Sequence, residues 1–261
     1  MKSQTEKAAI FRALHERDHA FIIPNPWDLG TAKMLEALGF EALATTSAGF
    51  AQSIGKADGA VDRDTMLAHA AQLAAATNLP VSADLENGYA DEPAGVAETV
   101  RLAAAAGLAG CSIEDLPAGR AGEPYDLAFA AERIAAAAKA VRALPFAFTL
   151  TARAENYIAD RPDLADTIAR LQAYQEAGAD VLYAPGLRSA DDIAAVVRAV
   201  DRPVNVLMGL PGVTLTLADL SALGVRRVSI GSALSSLAYR TAQCAAKEMH
   251  DRGVFTELTR K

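Results

Sequence analysis

Cysteine is nearly absent: Cys111 and Cys244 are the two in 261 residues. Two thiols make neither a disulfide framework nor a Cys-rich zinc site, and both read as small buried hydrophobes in a reducing compartment. Histidine is also scarce; His15, His19, His69 and His250 fall in or beside helical stretches. No basic run exists, and 25 Lys+Arg against 32 Asp+Glu leave a net charge of -7, which argues against nucleic-acid binding. No apolar stretch is long enough to span a bilayer. The polar, helix-like start lacks the apolar segment of a signal peptide. A GxSxG elbow, a Walker loop and a GxGxxG turn are all missing. The expectation is a soluble cytoplasmic protein that partners neither nucleic acid nor membrane.

What is present is apolar and regular. The chain is 51% hydrophobic and only 22% charged, which excludes disorder for most of it and allows a sizeable core. Short β-rich runs are read at residues 20–24, 42–46, 80–84, 110–114, 146–153, 180–184, 203–207 and 227–230. They are apolar on both faces, as parallel strands buried on both sides are. Ala-rich stretches of helical periodicity lie between them. Helix-to-strand junctions carry glycine at Gly39, Gly107, Gly178 and Gly224, or proline at Pro80, Pro145 and Pro203, which suits a left-handed helix cap or a strand start. Eight such units in this length predict an α/β fold, a (β/α)₈ TIM-type barrel, as a single domain over residues 1–261. The final segment, residues 232–261, is long for a last barrel helix and is expected to reach beyond its own subunit.

Barrel chemistry sits at the C-terminal ends of the strands. There this chain places Thr45, Thr46 and Ser47, then Asp84, Glu86 and Tyr89, then Glu114 and Asp115, then Arg153 and Glu155, with Asn205 on the seventh strand. Carboxylates facing one another repel and raise each other's pKa. A divalent cation removes that conflict, and Mg²⁺ takes oxygen ligands from one or two carboxylates plus waters and substrate. Other roles stay open: a strand-end acid can cap the next helix or pair with arginine, Arg153 can be a structural partner of Glu155 or Glu114, and Asn205 can be a buried turn donor.

The ordered set of motifs resembles the isocitrate lyase/phosphoenolpyruvate mutase superfamily over nearly the whole chain. It runs through Asn25-Pro26-Trp27-Asp28, Thr45-Thr46-Ser47-Ala48-Gly49, Gly55-Lys56-Ala57-Asp58-Gly59, Ser82-Ala83-Asp84-Leu85-Glu86-Asn87-Gly88-Tyr89, Ser112-Ile113-Glu114-Asp115, Thr151-Ala152-Arg153-Ala154-Glu155 and Pro203-Val204-Asn205. The resemblance implies a barrel whose last helix swaps between subunits of a dimer of dimers. It implies Mg²⁺ or Mn²⁺ and a small carboxylate or 2-oxo acid substrate. Asp84, Glu86, Glu114 and Asp58 match the metal positions, with Asp84 the most direct ligand. Thr46, Ser47 and Ala48 match the substrate-carboxylate loop. Arg153 matches the residue that pairs with carboxylate or enolate oxygen, and Asn205 one that touches a second carboxylate or a bridging water.

Two departures stand out. Where the family usually has Asp-x-Asp, this chain has Asp84-Leu85-Glu86. Where isocitrate and methylisocitrate lyases carry a Lys-x-Cys-Gly-His loop, residues 116–126 contain no cysteine, histidine or lysine. Residues 119–124, with Arg120, are expected to form a mobile lid. Tyr89, Lys56 and Glu123 remain the candidates for proton transfer. The resulting expectation is a Mg²⁺-dependent carbon–carbon lyase of a small di- or tricarboxylate. Phosphorus–carbon chemistry and a non-catalytic oxo-acid-binding homologue are the alternatives.

Overall fold

The computed structural model describes residues 1–117 and 123–259. The first half runs α1 (Gln4–His15), β1 (Phe21–Ile23), α2 (Leu29–Ala37), β2 (Leu43–Ala44), α3 (Ser47–Ser53), α4 (Arg63–Ala76), β3 (Val81–Asp84), α5 (Pro93–Ala105) and β4 (Gly110–Glu114). The second runs α6 (Leu127–Arg142), β5 (Thr149–Arg153), α7 (Leu164–Glu176), β6 (Val181–Tyr183), α8 (Ala190–Ala199), β7 (Val204–Leu207), α9 (Leu217–Ala222), β8 (Arg227–Ser229) and α10 (Ala233–Arg252). The strands form one eight-stranded parallel sheet ordered β1-β8-β7-β6-β5-β4-β3-β2. At the seam Ala44 N–H donates to the Pro24 carbonyl at 3.1 Å, and Asn25 Nδ2 donates to the Thr45 carbonyl at 2.9 Å. The sheet therefore comes close to full closure with helices between its strands, the expected (β/α)₈ barrel.

Local chemistry explains the boundaries. Gly39, Gly107, Gly178 and Gly224 take φ of +88°, +89°, +103° and +90° just past their helices, where a side chain would strain the left-handed turn. Asp62, Asp163 and Ser189 cap α4, α7 and α8, accepting from backbone N–H groups at 2.9, 3.0 and 3.0 Å. Such a cap stabilises a helix by about 1 kcal/mol, so Asp62 and Asp163 are accounted for as caps. β5 begins at Thr149 rather than at residue 146 because its ladder with β4 begins at the Gly110–Thr149 pair; earlier residues have no strand to pair with.

α1 plugs the N-terminal end of the barrel, with Phe11 and Leu14 packed against Phe21, Ile23, Ala42 and Ala109. The larger core cluster joins the strands to the inner faces of the surrounding helices. Along α10 the buried residues are Ser235 and Ala245, while Leu237 and Tyr239 are exposed. Cys111 is buried as expected, but Cys244 is exposed on α10, because this helix leaves the barrel wall. No helix among the described residues is long and apolar enough to cross a membrane.

Candidate active site

Alternation along the strands builds the site. Inward positions carry Ser82 and Asp84 on β3, Ser112 and Glu114 on β4, Thr151 and Arg153 on β5, Asn205 on β7, and Arg227 and Ser229 on β8. These are two-residue steps, which keep side chains on one face of a strand. Barrel interiors usually hold branched apolar residues; this one is polar and leaves a cavity of about 180 Å³ at the C-terminal mouth. Thr46, Ser47, Ala48, Asp58, Asp84, Arg153 and Asn205 all line it. Liquid water occupies about 30 Å³ per molecule, so the space equals about six waters, a fit for a small acid rather than a nucleotide cofactor.

Arg153 organises the mouth. Its Nη1 lies 2.9 Å from Asp84 Oδ1, its Nη2 3.2 Å from Glu114 Oε2 and its Nε 2.8 Å from Glu155 Oε1. Its guanidinium stands over the Tyr183 ring at 5.1 Å. Desolvation opposes the arginine charge, but Glu155, Glu114 and Asp84 outweigh it and hold the pKa above the ordinary arginine value. Burial pushes the Tyr183 phenol up to about 12, with Arg153 working against the rise. Asp84 Oδ2 accepts from Ser47 N–H at 3.2 Å, and Asp84 N–H donates to Thr45 Oγ1 at 2.8 Å. Thr46 caps α3 by accepting from Gly49 N–H at 3.2 Å.

A second layer fixes these groups. Asp115 accepts from the Glu155 N–H at 2.8 Å, from Arg170 Nη1 at 3.0 Å and from the Tyr174 hydroxyl at 2.5 Å. Burial raises the Asp115 pKa, and these donors oppose the rise. The turn after β3 is left-handed at Glu86, Gly88 and Tyr89, with φ of +48°, +82° and +55°. Arg133, 1% exposed, clamps it: Nε donates to the Asp91 carbonyl at 2.8 Å, Nη2 to the Ala90 carbonyl at 2.9 Å and to that of Asn87, and Nη1 to the Glu114 carbonyl at 3.1 Å.

The proton-transfer candidates are separated from the cavity lining. Lys56 is exposed on the turn after α3. Glu123 is exposed and paired with Arg161. Tyr89 lies among the acids; burial, then Glu86, Asp84 and Glu114, raise its phenol pKa above the ordinary value. Residues 118–122, which hold Arg120 and most of the expected lid, lie outside the described residues. Glu86 and Glu114 are buried. Asn205 makes its bonds inside the barrel, donating to Ser229 Oγ at 2.9 Å and accepting from Arg227 Nε at 2.9 Å. Tyr183 and Ser229, at the ends of β6 and β8, also line the cavity, as do Ser82, Ser112 and Arg227 deeper on their strands. The sequence signal for Ser82, Ser112 and Arg227 is polarity two residues before the strand end.

The donor set suits a hard cation of one coordination style. Its side chains offer oxygen only, and among the described residues no three His, Cys, Asp or Glu form a metal-holding group. A closed protein cage does not fit; a cation held by one carboxylate, waters and substrate does.

Comparison with known proteins follows the same line. The sequence profile of the phosphoenolpyruvate phosphomutase family matches residues 11–250. A solved structure from Burkholderia cenocepacia J2315, provisionally described as a lyase/mutase, is 60% identical with a TM-score of 0.96, covering 98% of this chain and 92% of that one. Another from the same organism, provisionally described as a phosphonomutase, is 37% identical with a TM-score of 0.87, covering 94% and 99%. Oxaloacetate decarboxylase of Pseudomonas aeruginosa is 31% identical, over 98% of this chain and 90% of that protein.

Proposed function

The chain belongs to the phosphoenolpyruvate phosphomutase family, and from that premise we propose that it cleaves, or forms, a carbon–carbon bond beside a 2-oxo acid in a small di- or tricarboxylate. Oxaloacetate, isocitrate and methylisocitrate define the class. The observation that carries the reading is Arg153, fixed by three carboxylates at the mouth of a cavity sized for such an acid.

Decarboxylation of oxaloacetate releases CO₂ and moves the electron pair of the broken bond onto the 2-oxo oxygen as an enolate; in isocitrate and methylisocitrate a base takes the 2-hydroxyl proton, the 2-oxo acid departs, and the pair collects on the carboxylate beside the new succinate carbanion. Arg153 is already oriented by Glu155, and Glu155 by Asp115, so its donors need no reorganisation when that charge appears. Stabilisation that grows toward the transition state is what accelerates the step. The backbone N–H of Ala48, beside the Thr46 cap, is assigned to the substrate carboxylate, while the Ser47 N–H is held by Asp84 Oδ2. Mg²⁺ or Mn²⁺ held by Asp84, with Glu86, Glu114 and Asp58 acting through water, would supply Lewis-acid polarisation of the oxo group. Of the three proton-transfer candidates, Tyr89 stands among the acids but outside the cavity lining and keeps its proton; Lys56 and Glu123 sit on exposed turns.

The test is turnover of oxaloacetate, isocitrate and methylisocitrate with Mg²⁺ and with EDTA. Metal-dependent release of pyruvate, glyoxylate or a related acid is expected; no turnover of any of the three rejects the reading. A second reading, phosphorus–carbon chemistry, is favoured by the match to the phosphonomutase-like structure. Phosphorus NMR of phosphonopyruvate incubated with the protein separates the two. Metal-dependent binding without turnover would identify a non-catalytic homologue.

A further inference from the structure

The floor of the cavity holds a cation that the reaction outlined above does not use. Arg227 is the first residue of β8, so it lies a full strand length below the mouth, and it lines the cavity. It is 5% exposed. Its partners are neutral: Nε donates to Asn205 Oδ1 at 2.9 Å, Nη2 to Thr151 Oγ1 at 3.0 Å, and Nη1 faces His15 Nε2 at 3.4 Å. His15 Nδ1 stands 2.8 Å from the Phe11 carbonyl, which requires a proton on that nitrogen and leaves Nε2 to accept. Burial holds His15 neutral, with its pKa lowered to about 3. No carboxylate among the described residues lies within ion-pairing distance of Arg227, in contrast to Arg153. Desolvation accordingly lowers its pKa to about 10, and Arg153 adds to the lowering. A buried charge without a counter-charge is costly, and this one faces a space lined by the hydroxyl residues Ser82, Ser112 and Ser229.

We propose that Arg227 is an anion subsite at the barrel floor that receives the distal carboxylate of a dicarboxylate whose oxo-acid end lies at the mouth. This rests on the function proposed above and names the part of the substrate that Arg153 does not hold. It also reassigns the expected role of Asn205: that side chain orients Arg227 through its Oδ1 and reaches the distal carboxylate only through it. An acid with one carboxylate, such as pyruvate, would leave the floor cation uncompensated.

The experiment is calorimetric titration of the intact protein with malonate, succinate and pyruvate, each with Mg²⁺ and with EDTA. The metal dependence reports on the function, and the preference for diacid over pyruvate reports on the floor. In Arg227→Gln the ratio of pyruvate to diacid dissociation constants should fall at least tenfold, and Arg227→Lys should restore part of it. Asn205→Asp supplies Arg227 with an internal carboxylate; it should raise the melting temperature and collapse the same ratio. Should Arg227→Gln fail to fold, Asn205→Asp decides. An unchanged ratio in whichever of these variants folds overturns the subsite, whatever the metal dependence shows.

Discussion

Arg153 reaches Asp84, Glu114 and Glu155 from the separate nitrogens of one planar group. A lysine ammonium cannot copy that fork. Arg153→Lys should therefore lower kcat/KM about 10² to 10³-fold, the usual cost of removing a preorganised oxyanion donor; activity within tenfold of the parent would reject the assignment. Asp84→Ala should abolish Mg²⁺-dependent ligand binding, read by calorimetry, and unchanged binding would sink the metal assignment. Two buried histidines set a different response. Burial lowers His15 to about 3, reinforced by Arg227, and lowers His69, stacked on Phe50 at 3.7 Å, to about 4, with Asp28 opposing. As pH falls below 6.5 the unfolded chain takes up these protons first, so their contribution is full above 6.5 and declines toward 4, continuing to 3 for His15. The expected loss is about 2 kcal/mol per histidine at pH 5 relative to neutral pH. Denaturant titrations at pH 7.5 and 5.0 check it, and His69→Leu should remove part of the slope.

At the scale of elements, the turn after β3 is the demanding piece. Left-handed backbone at Glu86 and Tyr89 costs on the order of 1 kcal/mol or more at each non-glycine residue. Arg133 on α6 repays it by binding the carbonyls of Asn87, Ala90 and Asp91, with its guanidinium over the Tyr125 ring at 4.2 Å. Arg133→Lys keeps a charge but loses the multiple donors. It should weaken Mn²⁺ binding, followed by electron paramagnetic resonance, about tenfold, while far-UV circular dichroism stays that of a folded barrel. Undiminished affinity would make the clamp purely structural. This element also marks the limit of sequence reading. The strands were legible because each is short with an apolar outward face, and seven of the eight follow a glycine or proline; the polarity of the inward face departs from the expectation of strands apolar on both sides. Asp84, Glu114 and Arg153 were legible as strand ends, and the structure brings them together. The Arg133 clamp was not, since it joins a residue on α6 to carbonyls some forty positions earlier, and backbone acceptors leave no trace in side-chain identity. Arg227 was hidden similarly: a lone arginine at a strand start reads as a solvated end unless the chain is already known to close around it.

For the whole molecule, α10 is the element that does not suit an isolated chain. It exposes Leu237 at 53%, and beyond it Phe255 and Leu258 stand at 61% and 60%. The 3₁₀ turn Thr256–Thr259 packs back on α10, and the exposed apolar groups are spread along this terminal segment. Exposed apolar surface of this kind marks association surfaces. The expected swap of this helix between subunits would bury them, and a dimer of dimers follows from the family resemblance. Light scattering behind size exclusion should therefore give a mass near four times the 27.2 kDa of one chain. Leu237→Glu places a charge in the contact and should lower the assembly order without unfolding the barrel, because Leu237 is more than half exposed within its own chain. A parent protein that elutes as a monomer at micromolar concentration would exclude the swap. A variant that keeps the parent mass would move the interface away from α10, leaving its apolar groups to some other partner.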